Sequence, residues 1–269
     1  MRAFATHFSF VFKTGLRNSN LLMINYLFPF GFYVAMGLVM TKINPLFAGT
    51  MVPAMGVFAI VASTVLGLPS PVVEDREAGI YRSYKINGVP ALSILVIPAV
   101  TTMFHAMIAA VVIVFTAPWL FDGVPPDEWL PLLVILLLTA FACAGIGSLI
   151  AVVSKDSRAT VLWSQLVFLP AMLIGGLMIP LNLLPTSVLP ASLLLPTTHA
   201  MQAAMGLAYG QQTVVAPTIS IGVLLAAGLA AFGMATYLFN WDSHNASGRG
   251  HPILALLAWL PYAMSILAL

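Results

Sequence analysis

Charge is what this sequence has least of: 10 basic and 8 acidic residues are spread over 269 positions. With 7% charged and 61% hydrophobic residues and a mean hydropathy of +1.03, too little polar surface exists to cover a water-soluble domain, and the chain reads as one solvated by lipid. A net charge of +2 is too small to make a nucleic-acid partner. The single cysteine, Cys143, excludes an intramolecular disulfide. No G-x-x-x-x-G-K-[ST] run is present, so the chain has no phosphate-binding loop of its own. His-Glu-x-x-His is also missing, His105 has no partner at metal-ligand spacing, and no metal is expected. The long apolar stretches contain no Asp or Glu to relay protons, which argues against an ion-coupled secondary transporter. Gly145-Ile146-Gly147-Ser148 and His199 fall near opposite ends of the predicted membrane part, too far apart for a nucleophile and its base.

What is present is a series of uncharged runs: Asn18 to Thr41, Ile43 to Val73, Ile86 to Phe121, Trp129 to Ser154, Ala159 to Trp241 and Gly250 to Leu269. Hydrocarbon is crossed by about 20 apolar residues, so the first four runs hold one helix each and the fifth holds two. The expected spans are 21–41, 51–71, 90–117, 130–153, 159–180 and 214–239. The fifth run has residues to spare around Pro180, Pro185, Pro190 and Pro196, and an excursion at 180–203 that leaves and regains one face of the membrane accounts for them. Residues 251–269 are apolar but short and interrupted by Pro261; they are expected to embed, with crossing left open.

Nine of the ten Lys and Arg residues fall on one side of this arrangement, and Lys42 alone falls on the other. That asymmetry puts the N-terminus in the cytoplasm of a multi-pass inner (plasma) membrane protein. The opposite loop holds Asp122, Asp127 and Glu128 between Trp119 and Trp129. In the first twenty residues Phe4, Phe8, Val11 and Phe12 share one helical face and Arg2, Thr6, Ser9, Lys13 and Arg17 the other, the pattern of an interfacial helix over 1–20. The repeats Ala140/Ala144/Ser148 and Gly222/Ala226/Ala230 are expected to be helix-packing seams. Asn25, Gln165 and His105 must face protein or a wet cavity.

Six of the eighteen charges lie between Glu74 and Lys85. Glu74-Asp75-Arg76-Glu77-Ala78-Gly79, followed by Arg82, Lys85 and Gly88-Val89-Pro90, resembles the cytoplasmic loop of ABC type-2 exporter permeases, with Glu74, Arg76, Glu77, Gly79 and Pro90 matching. Pro180-Leu181-Asn182-Leu183-Leu184-Pro185 and Leu195-Pro196-Thr197-Thr198-His199-Ala200 resemble the two sides of that family's outer re-entrant element; beyond it the family often carries an acidic residue and an Arg, where this chain has Gln202 and Met205. The resemblance implies one all-α permease domain over 1–269: six spans, an amphipathic N-terminal helix, a coupling loop at 74–88 and re-entrant helices before the last span. It implies no ATP-hydrolysing activity in the chain, ATP and Mg on separate P-loop ATPase subunits in two copies, and a second permease subunit as homodimer or heterodimer. Coupling is assigned to Glu74, Arg76, Glu77, Gly79 and Arg82, and the substrate path to Asn25, Tyr26, Phe30, Gln165, Phe168 and Met172. A mostly apolar conduit suits a lipid or drug-like compound; a glycolipid or polysaccharide cargo, and a membrane scaffold without transport, are the alternatives.

Overall fold

The computed structural model describes residues 9, 12–15, 17–241 and 250–268. Most of the expected interfacial helix, and Arg249, lie outside these described residues. Six helices are long and apolar enough to cross a membrane: α1 (Ser19–Ile43), α2 (Ala48–Glu77), α4 (Ala91–Phe121), α5 (Trp129–Val153), α6 (Ser157–Ile174) and α9 (Pro217–Leu238). Between them lie α3 (Ile80–Ile86), α7 (Leu189–Ser192) and α8 (Pro196–Leu207); a 3₁₀ run, Pro252–Trp259, and α10 (Leu260–Ser265) follow. No strand occurs among the described residues. The end bearing Arg17, Arg76 and Lys155 is called the basic end here, and the end bearing Asp122 to Glu128 the acidic end.

Helix α2 forms the centre because its sequence is apolar on every face: 94% of its apolar window is buried, against 28% for α1 and 22% for α6. Close approach to it depends on Gly147 of α5, where a Cβ atom would lie 2.2 Å from the Thr64 carbonyl oxygen. The other seam joins α5 to α9, with Gly145 against Ala231 and Gly228 against Phe141 and Ala142. Ala140, Ala144 and Ser148 are buried, as expected of a seam. Gly222 and Ala226 face outward, and the buried α9 stripe runs instead through Ser220, Leu224, Ala227, Gly228, Ala231 and Ala235. Both stripes satisfy a four-residue repeat, and only contact with α5 selects between them.

Prolines shape the two helices nearest the basic end. Pro29 and Pro69 each lack an N–H and crowd the carbonyl four residues earlier, those of Asn25 and Val65. In each case that residue sits in a π-helical turn, Met23–Leu27 and Ala62–Gly67, which absorbs the mismatch without breaking the helix. The two wide turns face one another: a Cβ on Gly67 would lie 2.9 Å from Asn25 Oδ1.

The fifth span ends at Ile174 rather than 180, because Gly175 packs against Thr197 and Gly176 adopts φ 84°, a left-handed conformation that ends the helix. Pro180 to Leu183 lie beside Leu46 and Thr50 at the acidic end. The chain then descends to Leu195, which shares a groove with Leu149 and Trp163, and the 12 residues of α8 climb about 18 Å back to Ala208, whose carbonyl accepts from Asp127 N. Gln202 Oε1 accepts from Val214 and Val215 N, fixing the loop that leads into α9.

The C-terminal segment begins at Gly250 beside Tyr237 and Leu238, the basic end of α9, and runs back along that helix. Ser265 Oγ lies 3.3 Å from His199 Nε2, and His199 Nδ1 lies 3.3 Å from Ser220 Oγ, one turn inside the acidic end of α9. Eight residues in 3₁₀ form and six in α form give about 25 Å, most of a bilayer core of about 30 Å. The 3₁₀ stretch supplies the reach that so short a segment would lack as an α-helix.

Two outcomes follow from this packing. Gly147→Ala should destabilise by on the order of 2 kcal/mol through backbone overlap, whereas Gly222→Ala, with nothing within 4 Å of its Cβ position, should leave the unfolding midpoint in detergent unchanged. In a Cys143→Ala background, cysteines at 124 and 267 should react with an impermeant maleimide from one side of the membrane and a cysteine at 82 from the other. Labelling of 267 together with 82 would contradict the traced course of the C-terminal segment.

Candidate functional site

The charged cluster is not a loop following the second span. Glu74 to Glu77 form the last turn of α2, so the helix extends six residues beyond its expected end at 71. Ala78 N donates to Glu74 O at 2.8 Å and Gly79 N to Arg76 O at 3.1 Å, closing the helix. Gly79 then takes φ 75°, a conformation costly for residues with a Cβ, and α3 starts in a new direction. The result is an elbow of two helices.

The five residues assigned to coupling divide three ways, with Gly79 forming the turn itself. Glu74, Glu77 and Arg82 are exposed on the elbow, as is Lys85. Arg76 is buried, a correction to the expectation that it faces a partner. Its guanidinium donates to the carbonyls of Ala151 and Val152, each at 3.3 Å, and to that of Ser154, at the C-terminal end of α5. A helix end leaves carbonyls without intrahelical partners and carries partial negative charge, so a planar cation with several donors suits this position. Glu77 Oε2 accepts from Ser157 Oγ at 2.8 Å, at the first residue of α6. Asp156 Oδ1 accepts from Ala159 N at 2.8 Å and caps that same helix start. Tyr81, buried on the inner side of α3, packs on Tyr84 and on Phe239 just after α9; burial pushes its phenol pKa well up, so it stays neutral. The elbow is thus tied to the basic ends of α5, α6 and α9.

Behind the elbow lies a cavity of about 390 Å³ between α1, α2, α3 and α4. Asn25 and His105 line it, both buried, and among the described residues neither Asn25 Oδ1 nor His105 Nε2 has a hydrogen-bond partner. Tyr26 Oη and His105 Nδ1 are 2.6 Å apart, and the Phe12 ring stacks on the imidazole at 4.5 Å. The remaining residues expected along one path lie elsewhere, so this cavity does not gather all six. Phe168 belongs to an aromatic cluster with Phe28 at 6.3 Å and Phe58 at 6.0 Å, joining α1, α2 and α6. Phe30 and Met172 pack against the core, and Gln165 is half-buried on α6. Helical periodicity alone could not separate these faces. The residues missed from sequence, Ser157 and Tyr81, carried no signal beyond adjacency to charge. Ser148 and His199 are not brought together: His199 Nε2 lies 2.9 Å from Leu193 O, and Ser148 Oγ has no partner.

The described residues thus form a multi-span membrane bundle whose polar elbow grips three helix ends. The sequence pattern of the family described as ABC-2 family transporter protein matches residues 40–237, and the chain belongs to that family. Its membrane domain is the transmembrane subunit rather than the ATPase, and membership implies partnership with an ABC ATPase. Comparison with curated proteins and with solved structures gave no match.

Replacing Arg76 by Gln should cost about 2 kcal/mol or more of stability, since the end carbonyls of α5 lose their charged donors. Arg76→Lys should recover only part of it, because one ammonium cannot serve three carbonyls in a plane. Thermal unfolding in detergent measures both; full stability of Arg76→Gln would refute the capping role.

Proposed function

We propose that this chain is the permease subunit of an ATP-driven exporter, moving a hydrophobic or amphiphilic compound out of the cytoplasm or inner leaflet. The observation that carries the proposal is the elbow: Glu74, Glu77 and Arg82 are exposed on it while its inner side holds the ends of α5, α6 and α9. ATP and Mg are held by the partner ATPase, two copies of which dock beneath a pair of permease subunits, identical or different. Closure of the ATPases on ATP favours one arrangement of the spans over another. Charged groups suit such a joint because they fix orientation at a wet interface. Arg76 and Gly79 shape the elbow, and Glu74, Glu77 and Arg82 meet the partner. Among the described residues, seven of the eight Lys and Arg lie at the basic end, which supports a cytoplasmic elbow and N-terminus in the inner membrane.

Glu77→Lys gives up one exposed hydrogen bond to Ser157, which should cost about 1 kcal/mol or less and leave the protein folded, and should lower coupled transport about tenfold when the variant is reconstituted with its ATPase. ATP hydrolysis and transport are measured together in liposomes. Transport at the unsubstituted level by a fully assembled variant would refute the coupling role.

A further inference from the structure

The cavity behind the elbow has a chemical character that coupling does not require. Its volume of about 390 Å³ is within the range of small-molecule sites. The walls are mostly apolar, among them Leu21, Leu68, Val72, Ile94 and Pro98. Two carboxylates, Glu74 and Asp75, lie on the side toward α3, and no Lys or Arg is among the described lining residues. Deep inside, Asn25 is 4% and His105 2% exposed, and Asn25 Oδ1 and His105 Nε2 lack partners among the described residues. An unpaired buried acceptor costs free energy comparable to a lost hydrogen bond, and a ligand carrying an N–H would recover it. The opposed π-turns create this place: Asn25 sits in one and Gly67, which also lines the cavity, in the other. Wide turns of this kind recur at functional sites.

We infer that this cavity binds a cationic amphiphile, a protonated amine on an apolar body, with the ammonium near Asp75 and Glu74, an N–H donated to Asn25 Oδ1, and the apolar part against α2 and α4. An anionic ligand would meet two carboxylates with no Lys or Arg among the described lining residues. A neutral lipid tail would leave Asn25 unpaired. Because the same Glu74 stands on the exposed elbow, an occupied cavity lies directly against the proposed joint. Binding is independent of ATP, so it can hold or fail separately from the coupling role.

The test uses the full chain in nanodiscs of zwitterionic phosphatidylcholine, without ATP. A diazirine-bearing alkylamine and the alcohol of the same chain length serve as probes, with cross-linked peptides identified by mass spectrometry. The amine should label peptides containing residues 18–25, 67–75 and 94–105, and dodecylamine but not dodecanol should compete. Asp75→Asn, an isosteric change, should reduce this labelling about fivefold or more. Asn25→Leu should reduce it as well, with labelling of the lipid-facing α6 peptide unchanged in both as the measure of an intact fold. Should Asn25→Leu not fold, Asp75→Asn decides alone. Equal labelling by the alcohol, or amine labelling indifferent to Asp75→Asn, would overturn the assignment.

Discussion

A bilayer offers no water to a backbone group that has lost its partner, and each departure from straight helix in this protein carries its own replacement. Arg76 is the central case. The α5–α6 hairpin turns within Ser154 to Asp156, and a turn that tight leaves the last carbonyls of α5 directed at the end of α2. A guanidinium supplies donors to them where a hydrophobic residue would leave them bare. Elsewhere the need is the side chain's own: the hydroxyls of Thr64, Thr101, Thr139 and Ser154 donate to the carbonyl four residues earlier, so no hydroxyl proton is left bare at these positions. Charge is scarce in the sequence, and one of its few cations is used internally.

That use connects the interior to the proposed docking surface. One turn of helix carries a residue pointing inward, Arg76, and neighbours pointing outward, Glu74 and Glu77. A force on the outward pair reaches α5 through Arg76, α6 through Ser157 and α9 through Tyr81, without passing through a flexible linker. Gly79 sets the angle between α2 and α3, and its left-handed conformation makes that angle a property of the backbone.

Glycines and prolines divide the remaining labour by depth. Near mid-membrane Gly145, Gly147 and Gly228 let backbones approach, so α2, α5 and α9 form a tight centre. Toward the basic end Pro29 and Pro69 widen their helices instead, and the packing opens into a cavity with unpaired polar atoms. Rigid packing and an open site therefore adjoin on α2: Thr64 meets Gly147 less than one helical turn before Gly67, where the cavity wall begins.

The sequence by itself determined the solvent, the number of spans and the charged cluster, because hydropathy, span length and charge spacing act locally and need no knowledge of neighbours. Pro29 and Pro69 remove a donor wherever they fall, but that wide turns would absorb them without breaking α1 and α2 emerged only with the structure. Tertiary structure alone decided which face each residue presents. Arg76 and Glu77 are adjacent charges in one run, yet one caps a buried helix end and the other is exposed, since a helix turns about 100° per residue and only the position of α5 tells inside from outside. For the same reason the α9 seam runs through Ala227 and Ala231 rather than Ala226 and Ala230, and Asn25 reaches a cavity while Phe168 joins an aromatic cluster. The fate of the C-terminal segment was likewise a matter of partners: its length was ambiguous until His199 and Ser220 fixed where Ser265 lies.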